Sequence, residues 1–202
     1  FLTAFLAKIV GEWEITGSER MQQRPIKILV DALTELGAKI EYLKNDGYPP
    51  LKIFGSHLKG RTIKLDGSVS SQYITALLLI APTIENGLTL ELKGEITSQS
   101  YIRLTLELMA QFGIQYQWDG NTIVIPEQNY FPREFTCEAD WSAASYWYAI
   151  MALADDGEVL LENLKLDSLQ GDAHIAAWFE TFGVASFQQD NGVRLIKSRN
   201  IQ

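Results

Sequence analysis

Cysteine and histidine are scarce in this sequence of 202 residues, which contains one cysteine, Cys137, and two histidines, His57 and His174. A single cysteine excludes an internal disulfide and a cysteine metal cluster. The histidines lie too far apart in sequence to form a zinc-ligand motif. We therefore predict no metal site, and we expect Cys137, in a strand-like segment, to be buried and inert.

Basic residues and long apolar runs are also in short supply. Lys and Arg number 17 against 25 Asp and Glu, which gives a formal net charge of −8. Such a balance argues against non-specific nucleic-acid binding, which requires a basic face. No apolar run reaches the ~18 residues of a membrane-spanning helix. We expect neither nucleic acid nor membrane as a partner, although a local cluster of donors could still hold an anionic small molecule.

The first residues, "FLTAFLAKIV", are apolar but lack the basic start and the small-residue cleavage site of a secretory signal, and no methionine precedes them. We interpret this segment as a helix cut at its beginning. The chain is then expected to be a fragment of a longer protein, with the cytoplasm as its location.

The sequence repeats itself with a period of about 70 residues. The segments "LVDALTELG", "TLELMAQFG" and "AAWFETFG" end at Gly37, Gly113 and Gly183. Each glycine follows an amphipathic run and suits the left-handed position that ends a helix. These positions divide the chain into about three copies.

Each copy begins with an apolar run that is typical of a buried helix. These runs are "FLTAFLAKIV", "SSQYITALLLIAP" and "SAASYWYAIMALA". A short alternating strand, the second helix and a hairpin follow, and the turns "DGN" and "DNG" mark two of the hairpins. The segments "RTIKLDG" and "REFTCEAD" predict a leading strand in the second and third copies. The pattern predicts an α/β fold in which the helices pack together and the sheets face outward.

Neutral donors cluster where helices begin. Ser70, Ser71 and Gln72 precede the apolar part of one helix, and Ser98 stands at the start of another. Helix N-termini present unpaired N–H groups that can hold phosphate or carboxylate. Two interpretations stay open, because such serines are also common as plain N-caps. Tyr101 could likewise be a core aromatic residue.

Arg20 and Arg24 also allow two interpretations. They could bind an anion, or they could be solvated charges, as loop arginines usually are. Their loop, "TGSERMQQRP", precedes the second helix of the first copy.

Taken together, these stretches resemble the 5-enolpyruvylshikimate-3-phosphate synthase family. The resemblance rests on "SERMQQRPIKILVDALTELGAKIEY", "GYPPLKI", "DGSVSSQYITALLLIAP", "SQSYIRLTLELMAQFGI" and "EADWSAASYWYAI", in order and spacing over nearly the whole chain. It implies the enolpyruvyl transferase-like fold, with two domains of three βαβαββ units each. Residues 1–137 would be two repeats of the first (upper) domain, N-terminally truncated, and residues 138–202 one repeat of the second (lower) domain.

The resemblance also implies a reaction of the shikimate pathway. An enolpyruvyl group passes from phosphoenolpyruvate to the 5-hydroxyl of shikimate 3-phosphate, phosphate is released, and neither a metal nor an organic cofactor is needed. The full-length parent would be a monomer. The family's Asn-Ala-Gly-Thr stretch and its acid–base residues have no match here, so no catalytic residue is assigned and the piece alone is expected to be inactive.

Binding roles carry over to matching positions. By resemblance, shikimate 3-phosphate would be bound by Ser70, Ser71, Gln72, Ser98 and Tyr101. Phosphoenolpyruvate would be bound by Arg20 and Gln72, with Arg24 supporting and Asp140 contributing little.

Some positions depart from the family pattern. Gln99 and Ser100 stand where Lys-Pro is common, Gln22 and Gln23 replace a basic–acidic pair, and Trp141 follows Asp140 near the expected hinge.

Two other functions are compatible with the sequence. UDP-N-acetylglucosamine enolpyruvyl transferase shares the fold, but it commonly uses a loop cysteine that has no counterpart here. A non-catalytic binding domain would keep the fold without the chemistry.

Overall fold

The computed structural model describes residues 1–197. The chain divides into two compact units, Phe1–Pro132 and Arg133–Gln202, which are described separately. Within residues 1–197, none of the helices is long and apolar enough to cross a membrane.

The helices and strands alternate along the chain. The helices are α1 (Leu2–Ala7), α2 (Glu19–Gln22), α3 (Lys27–Glu35), α4 (Ser71–Ile80), α5 (Gln99–Gln111), α6 (Trp141–Leu153) and α7 (Ile175–Glu180). The strands are β1 (Gly11–Ile15), β2 (Lys39–Tyr42), β3 (Leu51–Gly55), β4 (Thr62–Asp66), β5 (Leu88–Lys93), β6 (Gln117–Asp119), β7 (Thr122–Ile125), β8 (Gly157–Glu162), β9 (Val184–Gln189) and β10 (Gly192–Lys197).

The predicted repeat is visible in the sheets. The strand orders are β1-β3-β2, β4-β5-β7-β6 and β8-β10-β9. In each copy the strand after the first helix pairs with the second strand of the hairpin, which pairs with the first. This arrangement confirms the order helix, strand, helix, hairpin in all three copies.

The first unit has one hydrophobic core, to which α1, α3, α4, α5 and strands of both sheets contribute, whereas α2 has no buried residue. α4 carries most of this core, because Ile74, Leu77 and Leu78 are almost completely inaccessible. Strand β4 alternates, with Ile63 and Leu65 buried and their neighbours exposed. One face of the sheet therefore covers the helices while the other faces solvent, as predicted.

The second unit packs α6 and α7 against the antiparallel sheet β8-β10-β9. Trp141 and Tyr148 of α6 are fully buried. Its other face is exposed, with Tyr146 at 73% and Leu153 at 90% of their accessible surface. The prediction that α6 is buried all round is therefore wrong for this face, because the unit covers only one side of the helix.

Two expectations about residues 133–140 are also wrong. The segment forms no strand, and Cys137 is exposed. Its backbone pairs instead with the loop after β8: Asn163 donates from its side chain to the Cys137 carbonyl at 2.5 Å and accepts from the Ala139 N–H at 2.8 Å. Loop contacts replace the ladder that a strand would need.

The helix-ending glycines behave as predicted. Gly37, Gly113 and Gly183 have φ values of 101°, 87° and 81°. Side chains with a Cβ rarely adopt this conformation, so glycine ends the helix at these places.

Candidate functional site: an anion-binding corner between two helix N-termini

Helices α4 and α5 begin at the same edge of one sheet. Strands β4 and β5 are parallel neighbours, paired from Thr62 with Thr89 to Asp66 with Lys93. α4 follows β4 and α5 follows β5, so both helices start beyond the carboxyl ends of adjacent parallel strands. This is the edge at which open α/β sheets bind their ligands.

The two loops that lead into these helices are in direct contact. The N–H of Gly67 donates to the Lys93 carbonyl at 2.7 Å, and the N–H of Thr97 donates to the Gly67 carbonyl at 3.4 Å. A Cβ atom on Gly67 would lie 2.8 Å from the Glu95 carbonyl oxygen. A glycine at this position therefore lets the loops approach closely, and sequence reasoning did not single it out.

Ser70 and Ser98 occupy the N-cap positions of α4 and α5, but neither hydroxyl caps its helix. Two other helices are capped by a side chain: Ser18 accepts from the Met21 N–H at 3.3 Å, and Asp140 accepts from the Ser142 N–H at 2.8 Å. The N-cap residues of α1, α3 and α7 form no such bond. The plain capping interpretation therefore does not hold for Ser70 and Ser98. Their hydroxyls stay available to a ligand, as do first-turn N–H groups other than that of Tyr73, which donates to the Ser70 carbonyl at 2.9 Å.

Ser71 and Gln72 form the first turn of α4, and their side chains have no hydrogen-bond partner within residues 1–197. Tyr101 lies in the first turn of α5 and is 57% exposed, so the alternative of a core aromatic residue is wrong. Its hydroxyl is likewise unpartnered among the described residues. These three side chains add donors at the same edge of the sheet.

Two buried threonines join α4 to α5 below this edge. The hydroxyls of Thr75 and Thr105 lie 3.1 Å apart, and Thr105 donates to the Tyr101 carbonyl at 2.9 Å. Because Thr105 has one hydroxyl proton and gives it to Tyr101, Thr75 must be the donor to Thr105. The contact fixes the spacing of the two helices directly beneath the first turn of α5.

The loop that carries the arginines reaches the start of α4. The Tyr73 hydroxyl, in the first turn of α4, donates a hydrogen bond to the Pro25 carbonyl. Arg24 precedes Pro25 in sequence, and Arg20 lies on the single-turn helix α2. Both arginines are exposed, and neither forms an ion pair with another described residue. Tyr73 is a second residue that sequence reasoning missed.

The charge at the two helix starts favours an anion. Neither α4 nor α5 has an acidic residue in its first turn, so the positive ends of both helix dipoles are uncompensated there. Each helix start has one acid shortly before it in sequence, Asp66 before α4 and the exposed Glu95 before α5. Asp66 accepts from the Ser68 hydroxyl and N–H, and these bonds lower the pKa of its carboxyl group. Ser68 is thereby occupied and differs from Ser70 and Ser71.

The predicted binding residues of the corner are donors rather than acid–base groups. The predicted residues supply hydroxyl, amide and guanidinium groups, which hold an anion but do not accept a proton at neutral pH. No group of three or more His, Cys, Asp or Glu side chains among residues 1–197 is arranged to hold a metal ion. In the second unit, Asp140 is occupied as the N-cap of α6.

Comparison with known proteins identifies the family. The family model for EPSP synthase (3-phosphoshikimate 1-carboxyvinyltransferase) matches residues 1–200. A relative of that name from Bacteroides fragilis (strain YCH46) is 52% identical over 199 residues, which are 98% of this chain and 48% of the relative. Another, from Colwellia psychrerythraea, is 42% identical over 96% of this chain and 46% of its own.

A solved structure of EPSP synthase from Acinetobacter baumannii shares the fold. It superposes with a TM-score of 0.73 at 19% identity and covers 96% of this chain and 43% of that one. The chain thus spans about half the length of the curated relatives it matches. On the match over residues 1–200, the chain belongs to the EPSP synthase family.

Proposed function

We propose that this chain forms about half of a 3-phosphoshikimate 1-carboxyvinyltransferase and contributes one wall of its substrate cleft. The whole enzyme would transfer the enolpyruvyl group of phosphoenolpyruvate to the 5-hydroxyl of shikimate 3-phosphate and release phosphate. The observation that carries the proposal is the pair of uncapped serines, Ser70 and Ser98, at two helix starts on one sheet edge.

Shikimate 3-phosphate is proposed to place its phosphate between these two helix starts. Ser70, Ser71 and Ser98 would donate hydrogen bonds through their hydroxyls. The backbone N–H groups of the first helical turns would add to the positive electrostatic potential around the phosphate. Gln72 would reach both substrates, and the exposed Tyr101 ring would pack on the carbocycle. In this arrangement the phosphate dianion of shikimate 3-phosphate would be held by neutral donors.

Phosphoenolpyruvate is proposed to bind near Arg20. A guanidinium fork matches the geometry of a carboxylate or phosphate. Support comes from the hydrogen bond between Tyr73 and Pro25, which brings the arginine loop to the first turn of α4. The absence of an acidic partner for Arg20 among the described residues leaves its charge free for a ligand.

The exposed apolar face of α6 supports the proposal that more protein covers this chain in the enzyme. Tyr146, Ile150 and Leu153 lie on that face. Exposed apolar patches of this kind typically mark an interaction surface. The assignment of residues 138–202 to the second domain, the monomeric parent and the cytoplasmic location belong to the same proposal.

The test is the substitution Ser70→Ala in a full-length enzyme that carries this chain. Hydrogen bonds to charged groups contribute enough that the KM for shikimate 3-phosphate should rise about ten- to a hundredfold. Ser98→Ala should act in the same direction, whereas the KM for phosphoenolpyruvate should change less.

Ser68→Ala is the matched control, because its hydroxyl lies in the same loop but is bound to Asp66. Steady-state kinetics with each substrate varied in turn distinguish the variants. An unchanged KM for shikimate 3-phosphate in both Ser70→Ala and Ser98→Ala would show that the phosphate binds elsewhere.

A further inference from the structure

The hydroxyl of Tyr73 joins two parts of the first unit that are 48 residues apart in sequence. We propose that Tyr73 is a positioning residue, which holds the arginine segment, residues 18–25, against the first turn of α4 and thereby sets the place of the Arg20 guanidinium. This inference rests on the proposed function, because it assigns Tyr73 a role in binding phosphoenolpyruvate through Arg20.

On the α4 side, Tyr73 is held firmly. It is the third residue of the helix, and its N–H donates to the Ser70 carbonyl at 2.9 Å. Its ring is partly buried against the core cluster, and the next residue, Ile74, is 1% exposed. A side chain fixed at both its backbone and its ring can hold its hydroxyl in one place.

On the arginine side, the segment has little stability of its own. α2 is a single turn, and such short helices are marginal without outside contacts. Its C-terminal bonds run from Gln23 to the Arg20 carbonyl at 3.3 Å and from Arg24 to the Met21 carbonyl at 3.1 Å. The bond that Tyr73 donates to the next residue, Pro25, therefore anchors a turn whose backbone includes Arg20 and Arg24.

Two further anchors limit what Tyr73 alone controls. Lys44 donates to the side-chain oxygen of Gln22, the last residue of α2, at 3.0 Å in a solvent-exposed hydrogen bond. The N–H of Ile26 donates to the Gly47 carbonyl at 2.8 Å and fixes the start of α3. Pro25 has no N–H of its own, so its carbonyl is the one backbone group through which it can be held. Loss of the Tyr73 bond should thus loosen residues 18–25 without unfolding α3.

The consequence for a ligand follows from the unpaired arginines. Neither Arg20 nor Arg24 forms an ion pair with a residue in the described part of the chain, so no acid aligns the guanidinium groups. Their placement depends on the backbone beneath them. A bidentate contact to a carboxylate or phosphate requires that placement to be accurate.

The experiment is Tyr73→Phe in the full-length enzyme, which removes the hydroxyl and keeps the ring. Loss of one hydrogen bond that acts through Arg20 should raise the KM for phosphoenolpyruvate about three- to tenfold. The KM for shikimate 3-phosphate and kcat should stay within about twofold. In an Arg20→Ala background, Tyr73→Phe should have no further effect on the KM for phosphoenolpyruvate.

Tyr130→Phe is the matched control. Tyr130 also donates from its hydroxyl to a backbone carbonyl, that of Leu79, at 2.9 Å, but near the other end of α4. It should lower the melting temperature as Tyr73→Phe does and leave both KM values unchanged.

Three results would decide against the proposal. If Arg20→Ala raises the KM for phosphoenolpyruvate but Tyr73→Phe does not, positioning by Tyr73 is wrong and the proposed function stands. If Tyr130→Phe raises that KM equally, the effect is a general loss of stability, which also overturns positioning. If Arg20→Ala itself leaves the KM unchanged, both the role of Arg20 and the inference fail.

Discussion

Gly67 shows how a single residue without a side chain can shape a site. It lies where the loops after β4 and β5 meet, and the Glu95 carbonyl occupies the space that a Cβ would need. Its N–H donates to Lys93, the last residue of β5, and its carbonyl accepts from Thr97 in the loop after β5. The closeness of the two helix starts thus depends on a backbone approach that most residue types would prevent.

Gly67→Ala should push the two loops apart. The added methyl group would meet backbone atoms, which cannot rotate away, so we expect a loss of about 1–3 kcal/mol in the free energy of unfolding. We also expect weaker binding of shikimate 3-phosphate, since Ser70 and Ser98 would no longer face one phosphate. Urea unfolding of the chain and the KM of the full-length enzyme measure the two effects.

Gly120→Ala separates these effects. Gly120 has a φ of 52° and open space around its Cα, so alanine there costs about 1–2 kcal/mol from backbone strain alone. Both variants should lose stability, but only Gly67→Ala should weaken binding. Unchanged binding in Gly67→Ala would contradict the importance of the loop contact.

At the scale of elements, helices α4 and α6 differ in burial although their sequences are similar in character. Both are apolar around most of their circumference, and their sequences predict the same burial. α4 contacts α1, α3 and α5 and lies in the core cluster of the first unit, whereas α6 has a sheet and α7 on one side only. An apolar pattern around a helix therefore does not distinguish a helix enclosed on all sides from one that its unit covers on one side only.

The two faces of α6 should respond oppositely to substitution. Ile150→Glu and Leu153→Glu replace exposed side chains, so the free energy of unfolding of the isolated chain should change by less than about 0.5 kcal/mol and self-association should fall. Met151→Ala empties a buried position and should cost about 2–5 kcal/mol. Thermal unfolding and light scattering test this.

The glutamate variants also test the exposure itself. A large loss of stability in Leu153→Glu would show that the outer face of α6 is covered within the chain. The 90% exposure of Leu153 argues against that outcome.

At the scale of the whole molecule, the proposed site has binding residues but no assigned catalytic residue. We propose that Ser70, Ser98, Tyr101 and Arg20 hold anions, but enolpyruvyl transfer also needs positioned acid–base groups and a closed, water-poor cleft. We therefore expect the purified chain to bind shikimate 3-phosphate weakly at most and to show no turnover.

Phosphate release from phosphoenolpyruvate, measured with both substrates at millimolar concentration, tests this expectation. The full-length enzyme at equal concentration serves as the positive control. Turnover by the isolated chain, abolished by Ser70→Ala, would show that the catalytic groups are present after all.

Local sequence was sufficient for most of the framework. The glycines that end helices, the turns "DGN" and "DNG", and the threefold order of elements all express short-range backbone preferences, which a sequence shows directly. The prediction of a strand at "REFTCEAD" was wrong because this segment pairs with no strand. Strand pairing is a long-range property, which an alternating pattern alone does not specify.

The sequence by itself determined the chemistry of the candidate site. It shows neutral donors before apolar helices and two arginines in a polar loop. Only the tertiary structure decided that Ser70 and Ser98 leave their helices uncapped, that β4 and β5 bring those helices to one edge, and that Tyr73 bonds to Pro25. The reason is physical, since these facts depend on strand pairing and on contacts between residues 27 to 48 positions apart, which no local preference specifies.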